Sequence, residues 1–177
     1  MEGFVNRIFR AAKLDALLYE EVEADKGAFG QAMGVVILSS IAAGIGSIGE
    51  GGSRGILMGT IAALIAWFIW AFLTYFIGTR LLPGPQTKAD YGELLRTIGF
   101  SSSPGLIRVL GIIPGLTGVI FILASVWMLI AMVIAVRQAL DYESTLRAVG
   151  VCVAGWVIQL LILALLFSVF IRLAGPV

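Results

Sequence analysis

The side chains that could do chemistry are few, and most of them fall in one stretch. Glu93, Arg96, Ser101, Ser102, Ser103, Pro104 and Arg108 lie within sixteen residues of otherwise apolar sequence, and Gln159 stands alone in a later apolar run. A guanidinium at the centre of a bilayer costs on the order of 2.5–3.5 kcal/mol, so an intramembrane arginine calls for an explanation. Arg96 and Arg108 are twelve residues apart, about 18 Å along a helix. In a hydrocarbon core about 30 Å thick, each can sit just inside a boundary and snorkel outward. The alternative is a polar track. Glu93 and Arg96 would stand at one end, the carbonyls freed by Pro104 in the middle, and Arg108 at the other end. Broken helices at membrane depth are tolerated where they line a cavity or are buried in protein. A third reading pairs these charges with neighbouring helices for assembly.

The residues that are missing exclude more than those present suggest. There is no histidine, so the usual general base, proton shuttle and metal ligand are absent. No Ser-His pair is possible. One cysteine, Cys152, allows neither an intrachain disulfide nor a thiolate metal cluster. The apolar runs hold too few acids for a carboxylate dyad. Gly44-x-Gly46 lies inside an apolar helix, without the strand and the acidic partner of a dinucleotide fingerprint. No enzyme, no metal and no cofactor is expected. A net charge of +1 gives no reason to expect a nucleic-acid partner.

The elements that must position these groups are membrane helices. Of 177 residues, 59% are hydrophobic and 13% charged, against about 25% charged in an ordinary soluble domain. Mean hydropathy is +1.02. Too little polar material remains to coat a soluble domain of this size. The expected fold is all-α: a polytopic five-helix transmembrane bundle (residues 27–177) behind an amphipathic N-terminal cytoplasmic segment (1–26). Its spans are expected at about 27–49, 55–79, 91–113, 114–138 and 146–172, from the length of about 20 apolar residues that a crossing needs. The third is the irregular one, because Ser101–Pro104 interrupts it and proline breaks a helix. It reads as a kinked span, two half-helices or a re-entrant segment.

Basic residues orient the bundle. With five spans, Arg7, Arg10, Lys13, Lys26, Arg80, Lys88, Arg137 and Arg147 share one side, and Arg54, Arg108 and Arg172 the other. This places the N-terminus in the cytoplasm and the C-terminus outside. No cleaved signal peptide is expected, because the first apolar run begins only after the acidic stretch around Glu20, Glu21, Glu23 and Asp25.

Local signals fill in the rest. Phe4, Val5, Ile8, Phe9 and Ala12 share one face of a helix, with Arg7, Arg10 and Lys13 opposite. Phe4, Arg7, Ile8, Phe9, Arg10 and Lys13 are the candidate membrane-surface residues. The alternative is that this helix packs on the protein's own cytoplasmic loops. Asp15 suits the cap of a second helix reaching Ala24. Asp90 and Glu93 have capping-box spacing, and Glu143 and Arg147 the spacing of a helical ion pair. The Gly-rich stretch 49–55 reads as a short outside loop. Gly30 with Gly34, Gly111 with Gly115, and Ala131, Ala135 and Ala139 have small-xxx-small spacing, which permits close helix packing within or between subunits. Gln159 reads as hydrogen-bonding glue between helices. The aromatics from Trp67 to Phe76 are expected to face lipid or core.

Three stretches resemble the prokaryotic Yip-domain (Ypt-interacting protein) family. They are KLDALLYEEVEADKGAFGQAMGVVILSSIAAGI (13–45), YGELLRTIGFSSSPGLIRVLGIIPG (91–115) and VWMLIAMVIAVRQALDYESTLRAV (126–149). The resemblance implies five spans with a cytoplasmic N-terminus. The family's eukaryotic members are linked to Rab-type GTPases, vesicle budding and membrane shaping. Their Asp-Leu-Tyr-Gly-Pro motif is absent, so a GTPase partner is not expected here. The functional expectation is a non-enzymatic protein of a prokaryotic plasma (inner) membrane. It would organise membrane, or act as a trafficking-like or adaptor protein, with lipid and another membrane protein or a second copy as partners. The alternatives are a small-solute or ion transporter or channel built on the third span, and an accessory subunit of a larger membrane complex.

Overall fold

The computed structural model describes residues 3–174, with side chains for 3–47 and 56–162. Helix α1 (Phe4–Ala12) and helix α2 (Ala16–Ala24) form a hairpin at the N-terminus. The turn between them is a Schellman-type stop. Leu14 takes φ +64°, its N–H donates to the Ala11 carbonyl and that of Asp15 to the Arg10 carbonyl. Asp15 then caps α2, its carboxylate accepting from the Leu17 N–H at 3.1 Å, as its position suggests. A short 3₁₀ turn (Lys26–Ala28) leads into α3 (Phe29–Gly46).

Helix α4 (Ile48–Phe76) begins immediately after Ser47 and ends in a π-helical turn (Ile77–Leu81). The loop expected at 49–55 is therefore helical. Each glycine in a helix costs only about 1 kcal/mol relative to alanine, and an internal hydrogen-bond ladder outweighs that where water is scarce. After an irregular connection come α5 (Tyr91–Phe100), a 3₁₀ segment (Ser103–Ile112), α6 (Thr117–Ala139) and α7 (Thr145–Ala174). Among the described residues there is no strand.

Four helices are long and apolar enough to cross a membrane, not the five expected: Lys26–Gly46, Ile56–Leu81, Thr117–Ala139 and Thr145–Ile162. The expected third span is two half-elements, and the reason is local. Pro104 has no N–H to give the Phe100 carbonyl, and the Ser103 hydroxyl donates to that oxygen instead, at 2.7 Å. The Ser101 hydroxyl likewise donates to the Ile98 carbonyl at 2.7 Å.

The broken segment runs alongside α3 and in the same direction. A Cβ built on Gly99 would lie 2.8 Å from Ala32 Cβ, one on Gly105 would overlap Ser39, and one on Gly111 would lie 3.0 Å from the Gly46 carbonyl oxygen. One end of the bundle therefore gathers α2 and the connections around residues 82–90 and 140–144. There the Tyr142 hydroxyl lies 3.0 and 2.6 Å from the Gly78 and Leu82 carbonyl oxygens, and Gln138 donates to Glu20 at 2.7 Å. The other end holds the Ser47 turn and Gly115, which adopts φ +83° before α6. The core is Leu18, Tyr19, Val35, Leu94, Phe100 and Leu140 with their neighbours, all fully buried. Much of the outer face is apolar, including Leu57, Ile65, Ile122 and Leu161, as a lipid-facing bundle requires.

Candidate functional site

The polar residues singled out in the sequence separate into two places. Asp90 and Glu93 form a capping box at α5: Glu93 N–H donates to Asp90 Oδ1 at 2.8 Å, and Asp90 N–H to Glu93 Oε2 at 2.7 Å. Glu93 is thus a helix cap. Arg96 is 5% exposed, and its Nε donates to the carbonyl of Val22 at 2.9 Å and of Glu23 at 3.1 Å, with a further bond from its terminal nitrogen to Glu23. These are carbonyls at the C-terminal end of α2, where the helix dipole favours a cation. Arg96 neither snorkels nor lines a track; it fastens α2 to α5.

Ser101, Ser102, Arg108 and Gln159 instead line an open-sided cavity of about 530 Å³ among α3, α4, the broken segment, α6 and α7. Small residues make the space: Ser40, Ala43 and Gly44 on α3 and Gly59, Ala63 and Ala66 on α4. Trp67, Trp70, Phe121 and Met132 give the walls bulk, and the Trp70 indole N–H points at Met132 Sδ. Ser103 and Pro104 are buried behind this wall. Arg108 donates to Ser125 Oγ at 3.1 Å, and its guanidinium lies 5.5 Å from the centroid of the Phe121 ring. Its Nε is the only buried side-chain nitrogen or oxygen among the described residues without a hydrogen-bond partner. No carboxylate among the described residues lies within ion-pair distance of it.

The N-terminal candidates form a second region. Arg7 is 7% exposed, pairing with Glu21 at 2.7 Å and Asp25 at 3.0 Å and donating to Gln31 at 3.1 Å. Arg10 pairs with Asp15 at 2.7 Å and Glu21 at 2.8 Å. The two arginines of the basic face expected to meet phospholipid are thus turned inward onto the carboxylates of α2 and its caps. The hydrogen bond from Arg10 holds Asp15 below the usual carboxylate range, and the bond from Arg7 does the same for Asp25. Phe4 packs on Gly34 and Ile8 on the core, while Val5, Phe9 and Leu17 are 61–68% exposed. Lys13 is exposed. The Trp127 indole on α6 donates to the Ala12 carbonyl at 2.8 Å, so α1 lies along the flank of the bundle.

The small-residue candidates divide as well. Ala131, Ala135 and Ala139 are fully buried in the subunit, and Gly111 packs on Gly46 and Phe121. Gly115 is a turn residue, and Gly30 is exposed with nothing near it. Glu143 and Arg147 make no ion pair: Arg147 stacks 5.7 Å from the Tyr142 ring centroid, and Glu143 accepts from Gln86 at 3.3 Å. Arg54 and Arg172 lie outside the described side chains.

A family model for the Yip1 domain matches residues 19–167, from the middle of α2 to well into α7. The chain belongs to the Yip1-domain family. No curated protein and no solved structure matches it. The Yip1 domain thus covers the broken segment, the cavity and the Arg96 anchor, while α1 lies before it. Together with the four apolar helices, the family makes this a multi-pass integral membrane protein in contact with the lipid bilayer.

Proposed function

We propose that this Yip1-domain protein is a non-enzymatic organiser of membrane, acting from the interface at the end of the bundle that carries α1 and α2. The observation that carries the reading is the foot itself. The arginines of α1 are neutralised by α2, while Val5, Phe9 and Leu17 project from the flank. An apolar ridge on the flank of the bundle would wedge the leaflet it enters and resist a flat bilayer. That end holds nine of the chain's basic residues, Arg96 among them, which supports a cytoplasmic N-terminus; we take the membrane to be a prokaryotic plasma membrane. Helix α7 leads away from it, which favours an outside C-terminus. A second copy or another membrane protein would be recruited in the same membrane, as an adaptor or accessory subunit requires.

Reconstitution into vesicles tests the reading. The full chain should tubulate or shrink them, and Val5→Ser with Phe9→Ser should remove most of that effect. Vesicles of unchanged shape with the natural chain would sink it. A second reading, passage of a small solute, is favoured by the cavity beside the broken segment. Solute flux into vesicles tests that reading.

A further inference from the structure

Arg108 presents a physical problem that the bundle does not solve. A guanidinium carries five N–H donors and a full charge. Here one named bond reaches Ser125, a ring face offers a weak cation–π contact, and Nε is buried without a partner. Removing an ion from water without a counter-charge costs several kcal/mol, and that cost falls when an anion enters beside it. The space for one is present. The cavity of about 530 Å³ falls in the range of small-molecule sites, with mostly apolar walls and a few convergent polar groups: Arg108, Ser101, Ser102 and Gln159.

Depth and charge narrow the ligand. Phe121 and Ser125 stand four and eight residues into α6, so the guanidinium lies about 6–12 Å inside that end of the bundle. This is close to where headgroups meet hydrocarbon. A phosphodiester carries one negative charge and matches one guanidinium, whereas free phosphate carries about −1.5 to −2 and calls for more donors than this cavity has. The apolar walls suit the glycerol and chain attached to a phosphodiester. We infer that the cavity is a binding site for an anionic phospholipid, its phosphate held by Arg108 and its apolar part lying between α3 and α4. The inference does not depend on membrane shaping: a lipid can be held whether or not vesicles change form.

Native mass spectrometry of the full chain in detergent tests it, with phosphatidylglycerol, diacylglycerol of the same chains, and inorganic phosphate as probes. The natural chain should keep phosphatidylglycerol at least tenfold better than diacylglycerol, and excess phosphate should not displace it. Arg108→Gln should lower retention at least tenfold. Gly59→Leu leaves the charge in place and directs bulk into open space, since nothing lies within 4 Å of a Cβ there. It should lower retention to a similar degree, and it decides alone if Arg108→Gln does not fold. Equal retention of diacylglycerol overturns the site, as does natural-level retention in Gly59→Leu. Displacement by phosphate assigns the cavity to the free ion and overturns the lipid.

Discussion

Arg96 and Arg108 are the same residue type, twelve positions apart in one apolar stretch, and the protein treats them oppositely. Arg96 is enclosed and its donors are absorbed by the last carbonyls of α2. Arg108 is half-buried, holds one hydroxyl, and faces a cavity. Burial of a charge is therefore not by itself a sign of function. What separates an anchor from a site is whether the fold uses up the group's donors. The two ends of the broken segment thus have different duties: the α5 end fastens the N-terminal hairpin, and the 3₁₀ end leaves hydrogen-bonding capacity unspent.

The largest effect should come from exchanging each arginine for methionine. Hydrogen bonds to charged groups contribute about 1.5–3 kcal/mol, so Arg96→Met should destabilise by about 3 kcal/mol, freeing α2 and leaving its terminal carbonyls bare. Arg108→Met removes a poorly paired, half-buried charge and should be neutral or slightly stabilising in lipid-free detergent. Thermal unfolding of both variants checks the contrast. Equal losses would erase the distinction between anchor and site.

A somewhat smaller effect is expected where the broken segment meets α3. A Cβ on Gly46 would overlap the Arg108 carbonyl oxygen and lie 3.1 Å from the Phe121 ring. Overpacking of this kind costs about 1–3 kcal/mol, so Gly46→Ala should lower stability by about 2 kcal/mol. Because it pushes on the Arg108 backbone, it should also weaken whatever binds there. Gly30→Ala, at an exposed glycine with no neighbour, serves as the control and should cost nothing measurable.

How much of this was legible follows from the range of each interaction. The caps at Asp15 and Asp90 could be read because both partners lie within three residues of each other. So could the break at Ser101–Pro104, because proline acts on its own chain. What the break produced could not be read, since α3 alone decides how the two halves lie. The fate of Arg96 depends on carbonyls 73 and 74 positions away, and that of Arg108 on Ser125, 17 positions on across a turn. Spacing within a helix also failed to tell which glycines pack. Gly46, Gly99 and Gly105 matter because of what faces them, while Gly30 has the motif spacing and faces nothing. The basic stripe of α1 was visible, but its partner was not. An acidic helix, its Glu21 14 residues beyond Arg7 and 11 beyond Arg10, is as available as a lipid headgroup.

The smallest effect sharpens the Arg96 end. Glu23 is half-buried, and burial together with repulsion from Asp141, Glu93 and Glu20 raises its carboxyl to about 7, against the pull of Arg96. An acid whose folded value lies above its unfolded one adds stability when protonated. That contribution is complete below about pH 4.5 and is lost as pH rises through about 7. Glu23→Gln cannot ionise. Relative to the natural chain it should therefore gain stability from pH 5 to pH 8, by about 1 kcal/mol once screening at a half-exposed carboxylate is allowed for. The carboxylates bonded to Arg7 and Arg10 titrate lower and leave this window undisturbed. Melting curves at pH 5, 6, 7 and 8 give the comparison, and parallel curves for the two proteins would refute it. Adding Arg96→Met removes that pull, so it should push the titration of Glu23 higher still and extend the loss of stability above pH 7.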